Sequence, residues 1–315
     1  MTASLVSPTA AALLRKRLRA DARALVLGAG GWFGSTLLNL IEESATEARV
    51  LGLTGRPRRV TVGRREWALG GWDWDAVTRF APTVVVNCAF RTRERVDQLG
   101  YQRYVAENVG LSSQFLRTLA LPSVEAAVTV SSGAAVMPTG DPHDVEHNPY
   151  GHLKWAEEVL SREVADAHGA AFVVCRAWSV SGPFVKRPLD YAFSELISQA
   201  AAGRVLIRAP HEVWRRYTGV DDLLAACIAL AGEGWSGDVD SGGSLVELAE
   251  LARNIVGEVR PGIEIERPVA DGSPPDHYHT DDVSWRIACE RLRLVPASLG
   301  EQIRRAATGL IPGRR

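Results

Sequence analysis

Apolar positions along the chain follow two rhythms, and the rhythms alternate. "ALVLGAG" (24–30) is a short unbroken apolar run that ends in glycines, the pattern of a strand buried on both faces. "GWFGSTLLNLIEE" follows with apolar residues at helical spacing. Strand patterns recur at "RVLGLTG" (49–55), near residue 60 in "VTVG", and at "PTVVVNCAF" (82–90), "EAAVTVSS" (125–132) and "AAFVVCRAW" (170–178). Helical spacing fills "YQRYVAENVGLSSQFLRTLA" (101–120) and the stretch from Tyr150 to about Ala167. This alternation predicts parallel strands with right-handed crossovers, an α/β fold with a doubly wound parallel sheet of the Rossmann type. Beyond Gly182 the alternation loosens. "VDDLLAACIALAG" and "SLVELAELARNIV" read as helices, the second capped by Ser244 with Glu247 three residues on. "RPVADGSPPDHYHTDD" reads as a polar loop. We expect a leader or short amphipathic helix over 1–20, a dinucleotide-binding domain with the catalytic residues over 21–182, and a smaller C-terminal substrate lobe over 183–315, with some elements returning to the sheet.

Composition narrows the function. The 315 residues are 46% hydrophobic and 23% charged, as in ordinary globular proteins. A net charge of −1 gives no electrostatic basis for binding nucleic acid or an anionic membrane. No run of about 20 apolar residues could span a bilayer. The first residues place their charges after the apolar part, the wrong order for a signal peptide. Cys88, Cys175, Cys227 and Cys289 stand apart in apolar contexts, as buried free thiols do, and we expect a cytoplasmic protein.

Gly28, Gly31 and Gly34 in "GAGGWFG" stand three residues apart between a strand and a helix. The first permits a tight turn, the second lets backbone approach a pyrophosphate, and the third lets the helix pack close to the sheet. A free ribose 2′-hydroxyl calls for an acid after the second strand. The chain has "LTGRPRR" there, with Arg56 followed by Arg58 and Arg59, which suits a 2′-phosphate. We expect NADP(H), with NAD(H) as the alternative.

The chain carries 33 arginines and three lysines, Lys16, Lys154 and Lys186. Lys154 follows Tyr150 by four positions, so the two share a helix face. An ammonium there can lower the pKa of the phenol and let it exchange a proton near neutral pH. "VTVSSGAAV" ends a strand with Ser131 and Ser132, and C-terminal strand ends line the ligand crevice of a doubly wound sheet. A serine could hold a carbonyl oxygen while the tyrosine passes it a proton. His143, His147 and His152 lie among acids and prolines, where histidines are usually solvated, and we assign no metal.

In chain order these motifs, with "VVVNCA" (84–89), Asn108 in "AENVG", "RAWSVSGP" (176–183) and "RRYTGVDDLLAA" (215–226), resemble the extended short-chain dehydrogenase/reductase superfamily. Its members include the NAD(P)-dependent sugar-nucleotide epimerases, dehydratases and reductases. The resemblance runs from about Ala24 to about Pro296. It implies a catalytic set of Ser132, Tyr150 and Lys154, with Asn108 supporting it and Lys154 also on the nicotinamide ribose. It places Trp32, Phe33, Cys88, Ala89, Phe90 and Trp178 beside the cofactor and Asp73 against the adenine, the last weighed against a tryptophan-rich edge packed on the sheet. Ser179 would face the sugar and Arg215 its diphosphate. "GLTGRP" and "SSGAAV" look closest to nucleotide-sugar 4-ketoreductases of deoxysugar pathways. Val136-Met137-Pro138 departs from the family pattern, and only 17 residues separate Ser132 from Tyr150. Ser131 and Ser132 both remain candidates, with Ser132 favoured. Gly133 and Ala134 replace the acid pair of the dehydratases, which argues against dehydration, and the serine loop has no cysteine to act in 3,5-epimerisation.

The expected function is an NADPH-dependent ketoreductase acting on a nucleotide-linked keto-sugar. The alternatives are a sugar-nucleotide 4-epimerase with tightly held NAD and a non-catalytic NADP-sensing regulator. We expect a homodimer.

Overall fold

A computed structural model describes residues 4–136 and 145–314; Met137, Pro138 and His143 lie outside the described residues. Ser7 opens helix α1 (Pro8–Arg17): its hydroxyl accepts from the Ala10 amide at 3.4 Å, and Pro8 stands at the first helical position. Leu13, Leu14 and Leu18 are buried, so this first segment is a packed helix and part of the core.

β1 (Arg23–Leu27) passes through the glycine loop into α2 (Trp32–Ser44) and β2 (Arg49–Leu53). The stretch near residue 60 does form a strand, β3 (Arg58–Val62), but it pairs antiparallel with β4 (Arg65–Leu69) in a hairpin beside the main sheet. Only 54–57 separate it from β2, too few residues for the crossover that a parallel partner needs. α3 (Trp74–Phe80), β5 (Val84–Asn87), α4 (Val96–Leu99), α5 (Tyr101–Leu119), β6 (Ala126–Ser132), α6 (Pro149–His168) and β7 (Ala171–Ala177) continue the alternation.

Beyond β8 (Val180–Ser181) come α7 (Ala192–Ala202), β9 (Val205–Leu206), β10 (Val213–Gly219), α8 (Val220–Gly232), β11 (Gly237–Asp240) and β12 (Ser244–Glu247). α9 (Leu248–Val259), β13 (Ile265–Glu266), β14 (Asp276–Tyr278), α10 (Val283–Leu292) and α11 (Leu299–Leu310) complete the chain. The main sheet has the order β11-β7-β6-β5-β1-β2, and every pairing in it is parallel. α8 is buried from Val220 to Ala231 and shares one apolar cluster with α1, α2 and the sheet. A second cluster joins α7, α9 and α11 through Phe193, Ile197, Leu251, Ile255, Ile303 and Ala306.

Two expectations are corrected. Ser244 does not cap a helix: it lies on β12, paired with Tyr217 of β10. Glu247 is the cap of α9, its carboxylate accepting from the Ala249 amide at 2.6 Å. The described capping box is instead Ser298 with Glu301, which opens α11. The polar loop before α10 contains β14, which runs parallel to β10 with Tyr278 opposite Arg215.

Candidate active site

The glycine loop has the form a dinucleotide requires. Gly28 has φ +72°, and a Cβ there would stand 2.6 Å from the Cys88 carbonyl oxygen. A Cβ on Gly34 would stand 2.6 Å from the Ala29 Cα, so α2 presses directly on the loop. Gly31 caps α2 with no side-chain partner, which leaves the first amides of the helix available to an anion. Cys88 and Ala89 thus lie against the loop. The Trp32 ring meets Tyr191 edge-on at 5.1 Å and Phe33 at 5.9 Å, and its buried indole N–H has no partner. These residues fit a nicotinamide dinucleotide.

The arginine that touches this loop is Arg58 rather than Arg56. Arg56 is exposed, whereas Arg58 donates from Nη2 to the Gly30 carbonyl oxygen at 3.1 Å. Lys186, from the loop after β8, lies close enough for burial and the Arg58 charge to lower its pKa. Asp73 uses its carboxylate to cap α3, accepting from Asp75 and Ala76 at 3.0 and 3.2 Å. The tryptophan-rich edge does exist there: Trp72 and Trp74 lie 6.2 Å apart, and the Arg117 guanidinium covers Trp74 at 3.7 Å.

β6 and α6 bring the serines and the tyrosine together. Ser131 donates to the Glu158 carboxylate and is turned away. Ser132 accepts from the Ala134 amide at 3.2 Å and faces Tyr150. The enclosed phenol of Tyr150 is held well above its ordinary pKa by burial. The Ser132 hydroxyl pulls it down, and the neighbouring phenols of Tyr278, Tyr191 and Tyr104 push it up. No described hydrogen bond joins Lys154 to the phenol. The Lys154 ammonium instead donates to the Val130 carbonyl at 2.7 Å and to Glu157 at 3.3 Å, and the Phe90 ring covers it at 3.8 Å. Phe90 also meets the Tyr150 ring edge-on at 5.7 Å.

Other expected residues sit one step away from the reacting groups. Asn108 accepts from the Arg91 amide at 2.7 Å and so holds the loop after β5, without touching Ser132 or Tyr150. Trp178, expected beside the cofactor, packs on Gly133 of the serine loop and on Tyr278 at 5.0 Å, its N–H donating to Asp240 at 2.8 Å. Ser179 is half-buried between β7 and β8, its carbonyl accepting from the Thr218 amide at 3.4 Å. Arg215 reaches the Tyr278 ring at 5.7 Å but is already paired with Asp276 at 2.6 Å.

Tyr278 was missed from the sequence. Its hydroxyl lies 3.4 Å from that of Ser132, across 146 positions of chain. Burial raises its pKa and the Ser132 hydroxyl pulls it down. Nothing local marks it; only the pairing of β14 with β10 carries it there.

The family model described as NAD dependent epimerase/dehydratase family matches residues 24–240. The fold is similar to a UDP-N-acetylglucosamine 4-epimerase from Methanobrevibacter ruminantium M1 in complex with UDP-N-acetylmuramic acid. That match has 18% identity and a TM-score of 0.74, over 92% of this chain and 98% of that one. It is also similar to UDP-glucose 4-epimerases from Brucella ovis (20% identity, TM-score 0.70) and Thermus thermophilus (20%, 0.69), both in complex with NAD. These cover 92% of this chain and 98% and 99% of theirs. No curated protein matches the chain.

Proposed function

The chain belongs to the NAD-dependent epimerase/dehydratase family, and from that premise we propose that it interconverts nucleotide-linked sugars at a ring carbon bearing a hydroxyl. The observation that carries this is the convergence of Ser132 and Tyr150 at the crevice end of the sheet, next to a glycine loop that fits a dinucleotide. A nicotinamide dinucleotide bound there supplies hydride exchange with that carbon. Ser132 holds the sugar oxygen by a hydrogen bond. Tyr150, as the phenolate, takes the proton from that oxygen on oxidation and, as the phenol so formed, returns it on reduction. Tyr278 closes the site from the opposite side of Ser132 and positions the ring. Arg215 and its neighbours on β10 face the diphosphate, which must compete with Asp276 for the guanidinium.

Epimerisation at C4 is the first reading, supported by structural neighbours that are sugar-nucleotide 4-epimerases along nearly the whole chain. The ketoreductase expected from the sequence is the second, favoured by the cationic loop after β2. Arg58 at the glycine loop with Lys186 beside it supports NADP(H), a cofactor that a reductase exchanges with solution. One experiment separates them. The purified protein is assayed by proton NMR on UDP-sugars without added cofactor, then on a 4-keto-sugar nucleotide with NADPH. Interconversion in the first sinks the reductase; NADPH oxidation only in the second sinks the epimerase; neither sinks the proposal.

Further proposals follow from the same reading. The exposed apolar residues Val109 of α5 and Trp155, Val159 and Leu160 of α6 form a face for a second copy of the chain. Four free cysteines suit the cytoplasm.

A further inference from the structure

Two adjacent glutamates on α6 do two different jobs. Glu158, one turn after Lys154, is turned to Arg176, which it meets at 2.6 Å, and accepts from Ser131. Glu157 takes Lys154. Both members of this pair are buried, Lys154 at 4% exposed and Glu157 at 1%. An ammonium has three donors. Those of Lys154 serve the Val130 carbonyl and the Glu157 carboxylate, and the face of Phe90 covers the group. The carboxylate is fixed in turn. Ser112 of α5 donates to its Oε2 at 2.6 Å, and Thr129 of β6 donates to its Oε1 at 2.9 Å. The Thr129 hydroxyl accepts from Asn87 at 3.2 Å, whose Oδ1 accepts from the Ala89 amide at 3.1 Å. The lysine is thus tied to α5, β6 and the loop after β5.

We propose that Glu157 is the positioning residue for Lys154: it parks the ammonium against β6 and cancels the charge that would otherwise act on Tyr150. This deepens the proposed function and rests on Tyr150 being its acid–base residue. An ion pair presents a dipole rather than a free cation to a group one helical turn away, so its effect falls off sharply. Charged groups also stand nearby: Glu158 on the same helix is paired with Arg176, Asp240 acts on the same Cys175 thiol as Lys154, and Arg215 and Arg93 act on Tyr278. Cys88 and Cys175 approach Lys154, and Ser132, Tyr278, Tyr191 and Tyr104 face Tyr150. Glu157 therefore sets how much of the lysine charge reaches the phenol, and with it the pH range in which Tyr150 works.

The test needs no cofactor. The Tyr150 phenolate is read by alkaline difference absorbance, as wild type minus Tyr150→Phe, and again in a Glu157→Gln background. The expected result is that Glu157→Gln moves the Tyr150 titration down by about one pH unit, the scale of one uncompensated neighbouring charge. Glu157→Asp, which keeps the charge, should return it toward wild type; a purely structural role would not follow the charge. An unchanged titration in Glu157→Gln overturns the proposal. If that variant does not fold, the wild-type protein still decides. With three lysines, selective ¹⁵N labelling gives three ammonium signals, and Lys154→Met assigns one. The proposal requires the Lys154 signal to exchange slowly with water and to move in Ser112→Ala. A signal that behaves like a solvated lysine overturns it. A shifted titration in a protein that turns over no nucleotide sugar would sink the function and leave the Glu157–Lys154 relation standing. Turnover without a shifted titration would do the reverse.

Discussion

At the scale of single residues, the proposed chemistry reduces to one phenol. Tyr150→Phe should lower turnover by about 10²-fold or more, the range of general acid–base catalysis, while dinucleotide affinity measured by calorimetry stays near wild type. Retained turnover would remove Tyr150 from the reaction. A second expectation separates the arginines. Arg58→Ala should weaken NADP(H) binding by roughly tenfold or more, the loss of one charge-assisted hydrogen bond, and Arg56→Ala should leave it nearly unchanged. Equal effects would return the role to Arg56. The placement of Gly28, Gly31 and Gly34 at a strand-to-helix turn, and of Tyr150 and Lys154 on one helix, was legible in the sequence because it lies in short spacings, which a turn or a helix converts directly into geometry. That Arg58 and not Arg56 touches the glycine loop was not legible. β3 begins at Arg58, and the course of that hairpin past Gly30 selects the arginine that reaches the loop. Tyr278 and the partner of Lys154 were hidden for a related reason: the first depends on a pairing between distant strands, the second on which of two adjacent glutamates faces inward.

At the scale of elements, hydrophobic rhythm carried most of the fold. β1, β5, β6 and β7 are apolar runs without alternation because helices cover both faces of a parallel sheet. The rhythm failed where short strands leave the sheet. "SLVELAELARNIV" has helical spacing throughout, yet its first four residues pair with β10, because Gly242 and Gly243 turn the chain alongside that strand. α1 is the other surprise, a helix whose apolar face fills space against α2 and α8. Leu14 within it is 0% exposed. Leu14→Ala should therefore cost about 2–5 kcal/mol, the range for deleting a fully buried leucine, and denaturant unfolding would show it as a lower midpoint at an unchanged slope. A change under about 0.5 kcal/mol would mean that α1 is a dispensable leader.

For the whole molecule, one buried acidic pair ties distant parts of the chain together. Asp221 and Asp222 open α8; Asp221 accepts from the Ser7 amide and meets Arg305 at 3.4 Å, and Asp222 accepts from the Ala297 amide at 2.8 Å. Burial, with Asp221 beside it, raises the Asp222 pKa to about 7 from an ordinary 3.8. Burial raises that of Asp221 as well, against the Arg305 charge. The folded chain then binds protons that the unfolded chain has released, so this contribution to stability is full below the unfolded value and is lost as pH rises through about 7. The Tm should fall by several degrees between pH 5.5 and 8, and Asp222→Asn should flatten that slope; an equally steep slope in the variant would clear the pair of responsibility. Light scattering should likewise give about twice the chain mass of 34.1 kDa, and Trp155→Glu should halve it. β11 reaches the edge of the main sheet only after the chain has left to build β10, and α8, which covers that sheet, is made on the way back. The chain beyond Gly182 is thus stitched into the main sheet. A protease cut after Gly182 would leave an amino-terminal fragment without its border strand and without the helix that roofs it. Neither fragment alone should then show native circular dichroism, and mixing the two should restore it; a folded amino-terminal fragment would mean that β11 and α8 are dispensable.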